Sequence, residues 1–206
     1  MPVPGNLYLL FTPDGCRRDP VTTLERALDG GVDMVQWRAP ATDRQLFRDC
    51  RALCTARGVP FLINDDVMLA VRSAAAGAHV GQADMPADAA RKLLFGRLLG
   101  VSTHDSAQIT AAAEAGADYV GFGPCYPTAT KGYELGLGAA AIAAAAEHCA
   151  QLALPMFAIG GITADNIAAL GALGVSRVAV SSFVLTADDP TRAAKRLRAT
   201  LREAQL

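Results

Sequence analysis

FLINDDVMLAVRSAAAGAHVG, residues 61–81, decides the fold. It opens on FLIND (61–65), a nearly continuous apolar run. Such a run suits a parallel strand whose outer face is covered by helices, rather than a half-solvated strand with strict alternation. DDVMLAVRSAAAG then places apolar residues at i, i+3 and i+4, the spacing of one helix face. The aspartates before it are candidate N-caps, and Gly77 stands where a helix C-cap belongs. AHVG (78–81) follows at once as a second strand. The segment therefore reads strand, helix, glycine, strand.

The same unit recurs in both directions. LYLLFT (7–12) and MVQWR (34–38) precede it, and LLGVS (98–102), YVGFG (119–123), MFAIG (156–160) and RVAVS (177–181) follow, which makes eight runs. Helical patterns separate them, and Gly58, Gly116 and Gly174 again sit just ahead of the next strand. Eight strand–helix units predict an α/β fold, a compact single-domain (β/α)8 TIM barrel over residues 1–206, with a doubly wound open sheet as the alternative. A chain of 206 residues supports one sizeable core better than two domains.

Composition narrows the function. Apolar residues make up 51%, charged residues 19%, and the net charge is -1. Nothing in this balance gives a basic footprint for nucleic acid. There is no signal-peptide pattern and no long apolar run, so no membrane partner is expected. Cys16, Cys50, Cys54, Cys125 and Cys149 are odd in number and contain no CxxC pair. They read as reduced thiols of a cytoplasmic protein, with Cys125 a small apolar filler. The sequence is compatible with a homo-oligomer.

In a barrel of this kind the chemistry gathers at the carboxyl ends of the strands. Gln36 and Arg38 end the second strand, Asn64 and Asp65 the third, and Ser102, Thr103 and His104 the fifth. Asp84 follows the fourth, Gly160 and Gly161 end the seventh, and Ser181 and Ser182 the eighth. Asp65, Asp84 and Asn64 form an oxygen-rich corner suited to Mg2+. Taken singly, Asp65 also reads as the cap of the third helix and Asp84 as the closure of a turn. Arg38 offers a planar fork to phosphate oxygens. Gly160, Gly161, Ser181 and Ser182 mark a second anionic site, where backbone N–H groups commonly hold a phosphate. His79 and His148 read as packing or surface residues, and His104, at a strand end, as either a helix-capping residue or a ligand contact. Trp37 alternates with Gln36 and Arg38 and is expected to face the wall.

The loop after the sixth strand, GFGPCYPTATKG (121–132), breaks the alanine- and arginine-rich style of the chain. It carries Lys131, one of only three lysines. Lys131 supplies a point charge for a polyphosphate, and Thr128 and Thr130 supply hydroxyls to the second anionic site.

QWR (36–38), INDD (63–66), HVGQAD (79–84), GVSTH (100–104), GPCYPTATK (123–131), AIGGI (158–162) and AVSS (179–182), in this order, resemble the thiamine-phosphate synthase family over essentially the whole chain. The resemblance implies a transferase that joins a pyrimidine, carried as its methyl diphosphate, to a thiazole phosphate. Thiamine phosphate and pyrophosphate are the products. It implies Mg2+ on Asp65 and Asp84, and the pyrimidine diphosphate on Gln36, Arg38, Asn64, Ser102 and Lys131. The thiazole phosphate falls to Thr128, Thr130, Gly161, Ser181 and Ser182, and the catalytic roles to Arg38, Ser102 and Lys131. One departure stands out: the family usually continues after the arginine with an acid and a lysine, and this chain has Ala39 and Pro40. Arg44 or Arg17 is the substitute cation to look for. A thiazole tautomerase on the same fold is the main rival, but it places a histidine where this chain has Pro124. A ligand-binding paralogue with weak or no synthase activity and another phosphate-binding barrel isomerase are further alternatives.

Overall fold

Strand β1 (Leu7–Phe11) is buried along its whole length, because its two faces look into two different cores. Leu7, Leu9 and Phe11 pack outward with the helices, while Tyr8 and Leu10 pack inward with Met34, Leu62, Leu98, Tyr119, Phe157 and Ala179. Side chains alternate along a strand, so a closed barrel sorts every strand between an inner and an outer cluster. The remaining strands are β2 (Met34–Trp37), β3 (Phe61–Asn64), β4 (Gly77–Val80), β5 (Leu98–Thr103), β6 (Tyr119–Phe122), β7 (Met156–Ile159) and β8 (Val178–Val180). A computed structural model describes residues 2–40, 42–127 and 135–204 of the chain.

All neighbouring strands run parallel, and β8 returns to pair with β1 through Leu7↔Val178 and Tyr8↔Ala179. The sheet is therefore a closed barrel in sequence order, and the open-sheet alternative falls away. Outside it lie α1 (Pro20–Asp29), α2 (Arg44–Ala56), α3 (Val67–Arg72), α4 (Ala87–Leu93), α5 (Ser106–Glu114), α6 (Ala139–Gln151), α7 (Ile167–Gly171), α8 (Ser182–Leu185) and α9 (Pro190–Glu203). Asp19, Asp43, Asp66, Asp105 and Asp189 accept hydrogen bonds from the first turns of α1, α2, α3, α5 and α9. Each such cap stabilises its helix by about 1 kcal/mol. Among the described residues, no helix is long and apolar enough to cross a membrane.

Gly58, Gly116 and Gly174 take the positive φ of helix C-caps, as expected. Gly77 does not. The left-handed position after α3 belongs to Ala74, at φ 52°. Gly77 lies inside β4, where a Cβ would stand 2.0 Å from the Leu98 carbonyl oxygen. Its role is close approach of β5, not helix termination.

Candidate active site

Trp37 packs edge-on against Phe47, with ring centroids 5.4 Å apart, and lies beside Phe11 and Phe61 in the outer layer. Alternation then turns Gln36 and Arg38 into the barrel mouth. The mouth holds a cavity of about 370 Å³. Gln36, Arg38, Asn64, Asp65, Asp84 and Ser102 all line it.

Arg38 is half-buried. Burial pushes its guanidinium below the usual value, and the nearby Asp65 carboxylate pulls it back up. Asp65 does not cap α3: Asp66 does, accepting from Leu69 N at 2.7 Å. Asp65 instead takes φ 62°, with its N–H donating to the His79 carbonyl at 2.8 Å and its carboxylate accepting from Asn64 Nδ2 at 2.5 Å. Asp84 keeps the turn-closing role, since its Oδ2 accepts from Gly81 N at 2.7 Å, yet it still lines the cavity. The donor set offered to a cation is therefore oxygen only. Among the described residues no cluster of three or more His, Cys, Asp or Glu side chains forms. Few protein ligands with oxygen donors fit a Mg2+ ion that keeps water and phosphate in its other positions.

A second lobe opens beside the first, lined by Gly160, Gly161, Ile162, Ser181 and Ser182. Arg38, Ser102 and His104 line both lobes and stand at their junction. Ser181 precedes α8 and makes no side-chain cap bond, so its hydroxyl is not committed to its own helix. Gly160 and Gly161 have φ 99° and 61°. A Cβ on Gly161 would lie 2.5 Å from the Pro127 carbonyl oxygen, and one on Gly160 would lie 2.8 Å from Pro124 Cα. The chain that approaches these glycines is thus the loop after β6. Cys125 N and Tyr126 N donate to the carbonyls of Ile159 and Gly160 at 2.8 and 3.1 Å, and Leu137 N ties the far side of the loop to the Pro124 carbonyl. Both arms of the loop are anchored at the second lobe. Thr128, Thr130 and Lys131 lie outside the described residues.

Several expectations need correction. Neither candidate for the missing lysine faces the cavity: Arg17 pairs with Asp188 at 3.0 Å on the surface, and Arg44 starts α2. Among the described residues Arg38 is the arginine or lysine lining the two lobes. His104 is no helix cap, since Asp105 caps α5. Its Nδ1 meets the Gly123 carbonyl at 2.5 Å, and it lines both lobes. His79 is buried as expected, but it bonds Ser102 and Tyr119 and lines the cavity, as do Tyr8 and Phe157. Its inward parity on β4 was the available signal. Cys125 is filler: burial pushes its thiol up to about 11, and it donates to the Phe122 carbonyl.

A closed parallel barrel with a polar cavity at the carboxyl ends of its strands defines the TIM-barrel class of enzymes. A family model described as thiamine monophosphate synthase (TMP-TENI) matches residues 7–184, and the chain belongs to that family. It is 36% identical over 208 residues to a thiamine-phosphate synthase of Bacillus velezensis, covering 97% of this chain and 92% of that one. It is 43% identical over 182 residues to one of Thioalkalivibrio sulfidiphilus, covering 85% of this chain and 84% of the relative. The solved thiamine phosphate pyrophosphorylase of Pyrococcus furiosus superposes with a TM-score of 0.85 at 27% identity, over 98% of this chain and 97% of that one.

Proposed function

We propose that the protein condenses 4-amino-2-methyl-5-pyrimidinylmethyl diphosphate with thiazole phosphate, giving thiamine phosphate and pyrophosphate. One observation carries this reading: two cavity lobes, one with two carboxylates and an arginine and one with glycines and serines, meet at Arg38, Ser102 and His104. A reaction joining two anionic substrates needs such a junction.

In this reading the diphosphate lies in the first lobe against Arg38, whose partial burial strengthens its pull on phosphate oxygens. Asp65 and Asp84 would hold Mg2+, which when bound supplies positive charge to the departing pyrophosphate, with Asn64 beside them against the diphosphate. Gln36 and Ser102 orient the pyrimidine with neutral hydrogen bonds. The C–O bond breaks, pyrophosphate leaves with the electron pair, and the electron-rich ring stabilises the methylene cation. The thiazole nitrogen then donates its lone pair to form the C–N bond. Gly161, Ser181 and Ser182 hold the thiazole phosphate by backbone and hydroxyl donors, joined by Thr128 and Thr130. Lys131 completes the charge on the leaving group. The residues act by positioning and charge stabilisation, with no acid–base step required. Small-molecule substrates, a cytoplasmic setting and the absence of nucleic-acid or membrane partners complete the reading.

The test is incubation with both substrates and Mg2+, following thiamine phosphate. Synthesis should stop with EDTA and fall by at least ~100-fold in Arg38→Ala and in Lys131→Ala, the scale of losing one preorganised electrostatic contact. Metal-independent conversion of thiazole phosphate alone would instead establish a tautomerase. Ligand-dependent stabilisation without turnover would establish a binding protein.

A further inference from the structure

Beneath the first lobe, a file of buried polar groups crosses the barrel from β2 to β5. Gln36 Nε2 donates to the Tyr8 hydroxyl at 2.8 Å, and the Tyr8 and Tyr119 hydroxyls meet at 2.9 Å. The Tyr119 hydroxyl meets His79 Nδ1 at 3.1 Å, and His79 Nε2 meets Ser102 Oγ at 2.9 Å. Tyr8, Gln36, His79 and Tyr119 are all buried. Burying four polar side chains is costly unless each is hydrogen-bonded, and here each is.

The barrel also leaves room for this file. Gly100 lies on β5 opposite both Tyr119 and His79 in the strand register. A Cβ there would stand 2.2 Å from Tyr119 Cζ and 2.4 Å from His79 Nδ1. Glycine is what lets the phenol cross the strand and reach the imidazole.

The direction of the file follows from counting protons. Tyr8 accepts from Gln36, so its single proton goes to the Tyr119 oxygen. Tyr119 then donates to His79 Nδ1. With Nδ1 accepting, the ring carries its proton on Nε2 and donates it to Ser102 Oγ. The Ser102 proton is left for the cavity. Run in reverse, Tyr8 would accept from both Gln36 and Tyr119, and its own proton would be sealed in the barrel without an acceptor in the file.

The geometry points to Tyr8, Tyr119 and His79 as positioning residues that fix the hydrogen-bond polarity of the cavity floor and thereby select an aminopyrimidine over its oxo counterpart. This rests on the substrate reading above. The floor offers the amide oxygen of Gln36, held in one orientation by its bond to Tyr8, and the proton of Ser102. An aminopyrimidine presents the complement, an amino N–H beside a ring nitrogen acceptor. In the oxo analogue the carbonyl meets the Gln36 amide oxygen, acceptor against acceptor, and the ring nitrogen gains a proton, so the Ser102 proton loses its acceptor. A site built to hydrogen-bond one pattern rejects the reversed one strongly.

The experiment measures, by calorimetry, binding of the aminopyrimidine methyl diphosphate and of its 4-oxo analogue to the parent and to Tyr119→Phe and Tyr8→Phe. The parent should prefer the amino form by at least about 100-fold. Each variant should cut that preference by about tenfold or more, while KM for thiazole phosphate stays unchanged. A preference that survives in a folded variant overturns the inference, as does KM for both substrates rising together. Should a variant not fold, nitrogen NMR of histidine in the parent decides the polarity: His79 must carry its proton on Nε2, and a proton on Nδ1 overturns the file's direction and the selection built on it. Failure of the substrate reading shows differently, as absence of thiamine phosphate in the parent assay.

Discussion

Asp65 sits at φ 62°, where side chains other than asparagine, aspartate and glycine are strained. Handing the α3 cap to Asp66 leaves the Asp65 carboxylate beside Asn64 and Arg38 at the cavity. Adjacent acids with opposite duties are not separable in a sequence, since INDD reads the same whichever one caps the helix. Asp65→Asn tolerates the same φ, so it should keep stability within about 0.5 kcal/mol by urea denaturation. Its thiamine phosphate formation should nevertheless fall by ~100-fold or more, because the proposed Mg2+ site would lose one of its two carboxylates. Comparable losses of stability and activity would return Asp65 to a structural role.

At the scale of elements, the β6 and β7 loops act as one piece. Gly161 was legible as a special residue, but the partner that makes it special was not. Pro127 and Tyr126 arrive from a loop some thirty residues upstream, at the end of the neighbouring strand β6. Gly161→Ala faces both the strain of positive φ, about 1–2 kcal/mol, and a Cβ 2.5 Å from a backbone oxygen. The β6 loop should be displaced while the barrel stays closed. The expected outcome is a KM for thiazole phosphate raised by about tenfold or more, with far-ultraviolet circular dichroism unchanged. An unaltered KM would separate the loop from the second lobe.

For the whole molecule, closure is secured at the end of the barrel opposite the cavity. Asp33 Oδ2 accepts from the backbone N–H groups of Asn6 and Leu7 at 2.8 and 3.0 Å, and Oδ1 pairs with Arg198 of α9 at 2.7 Å. One side chain thus ties the start of β1 to the last helix. Asp33→Ala should lower unfolding stability by about 2 kcal/mol, since it removes the acceptor of two backbone N–H groups and the carboxylate partner of a partly buried guanidinium. A loss below about 0.5 kcal/mol in urea would show that closure does not depend on it. Burial of Cys50 and Cys54 holds their thiols up at about 12. Unfolded thiols ionise near ~8.5, so between there and 12 the native state binds more protons than the unfolded one. Stability should be fully present below about pH 8 and fall progressively above about pH 9, with a shallower fall in Cys54→Ala. A urea midpoint flat to pH 11 would contradict this.

Local chemistry determined the eight strand–helix units, since apolar runs separated by amphipathic helices must be buried on both faces; the pairing of β8 with β1 decided for the closed barrel over the open sheet. Local chemistry also determined which strand ends carry oxygen, cation and glycine, because alternation decides which side chains face inward. Only the tertiary structure decided how those groups are joined. The file from Gln36 through Tyr8, Tyr119 and His79 to Ser102 links residues up to 111 positions apart between neighbours. No local pattern encodes such a link, for it exists only once the sheet has closed on itself and brought the inward side chains of β1, β2, β4, β5 and β6 within hydrogen-bonding reach.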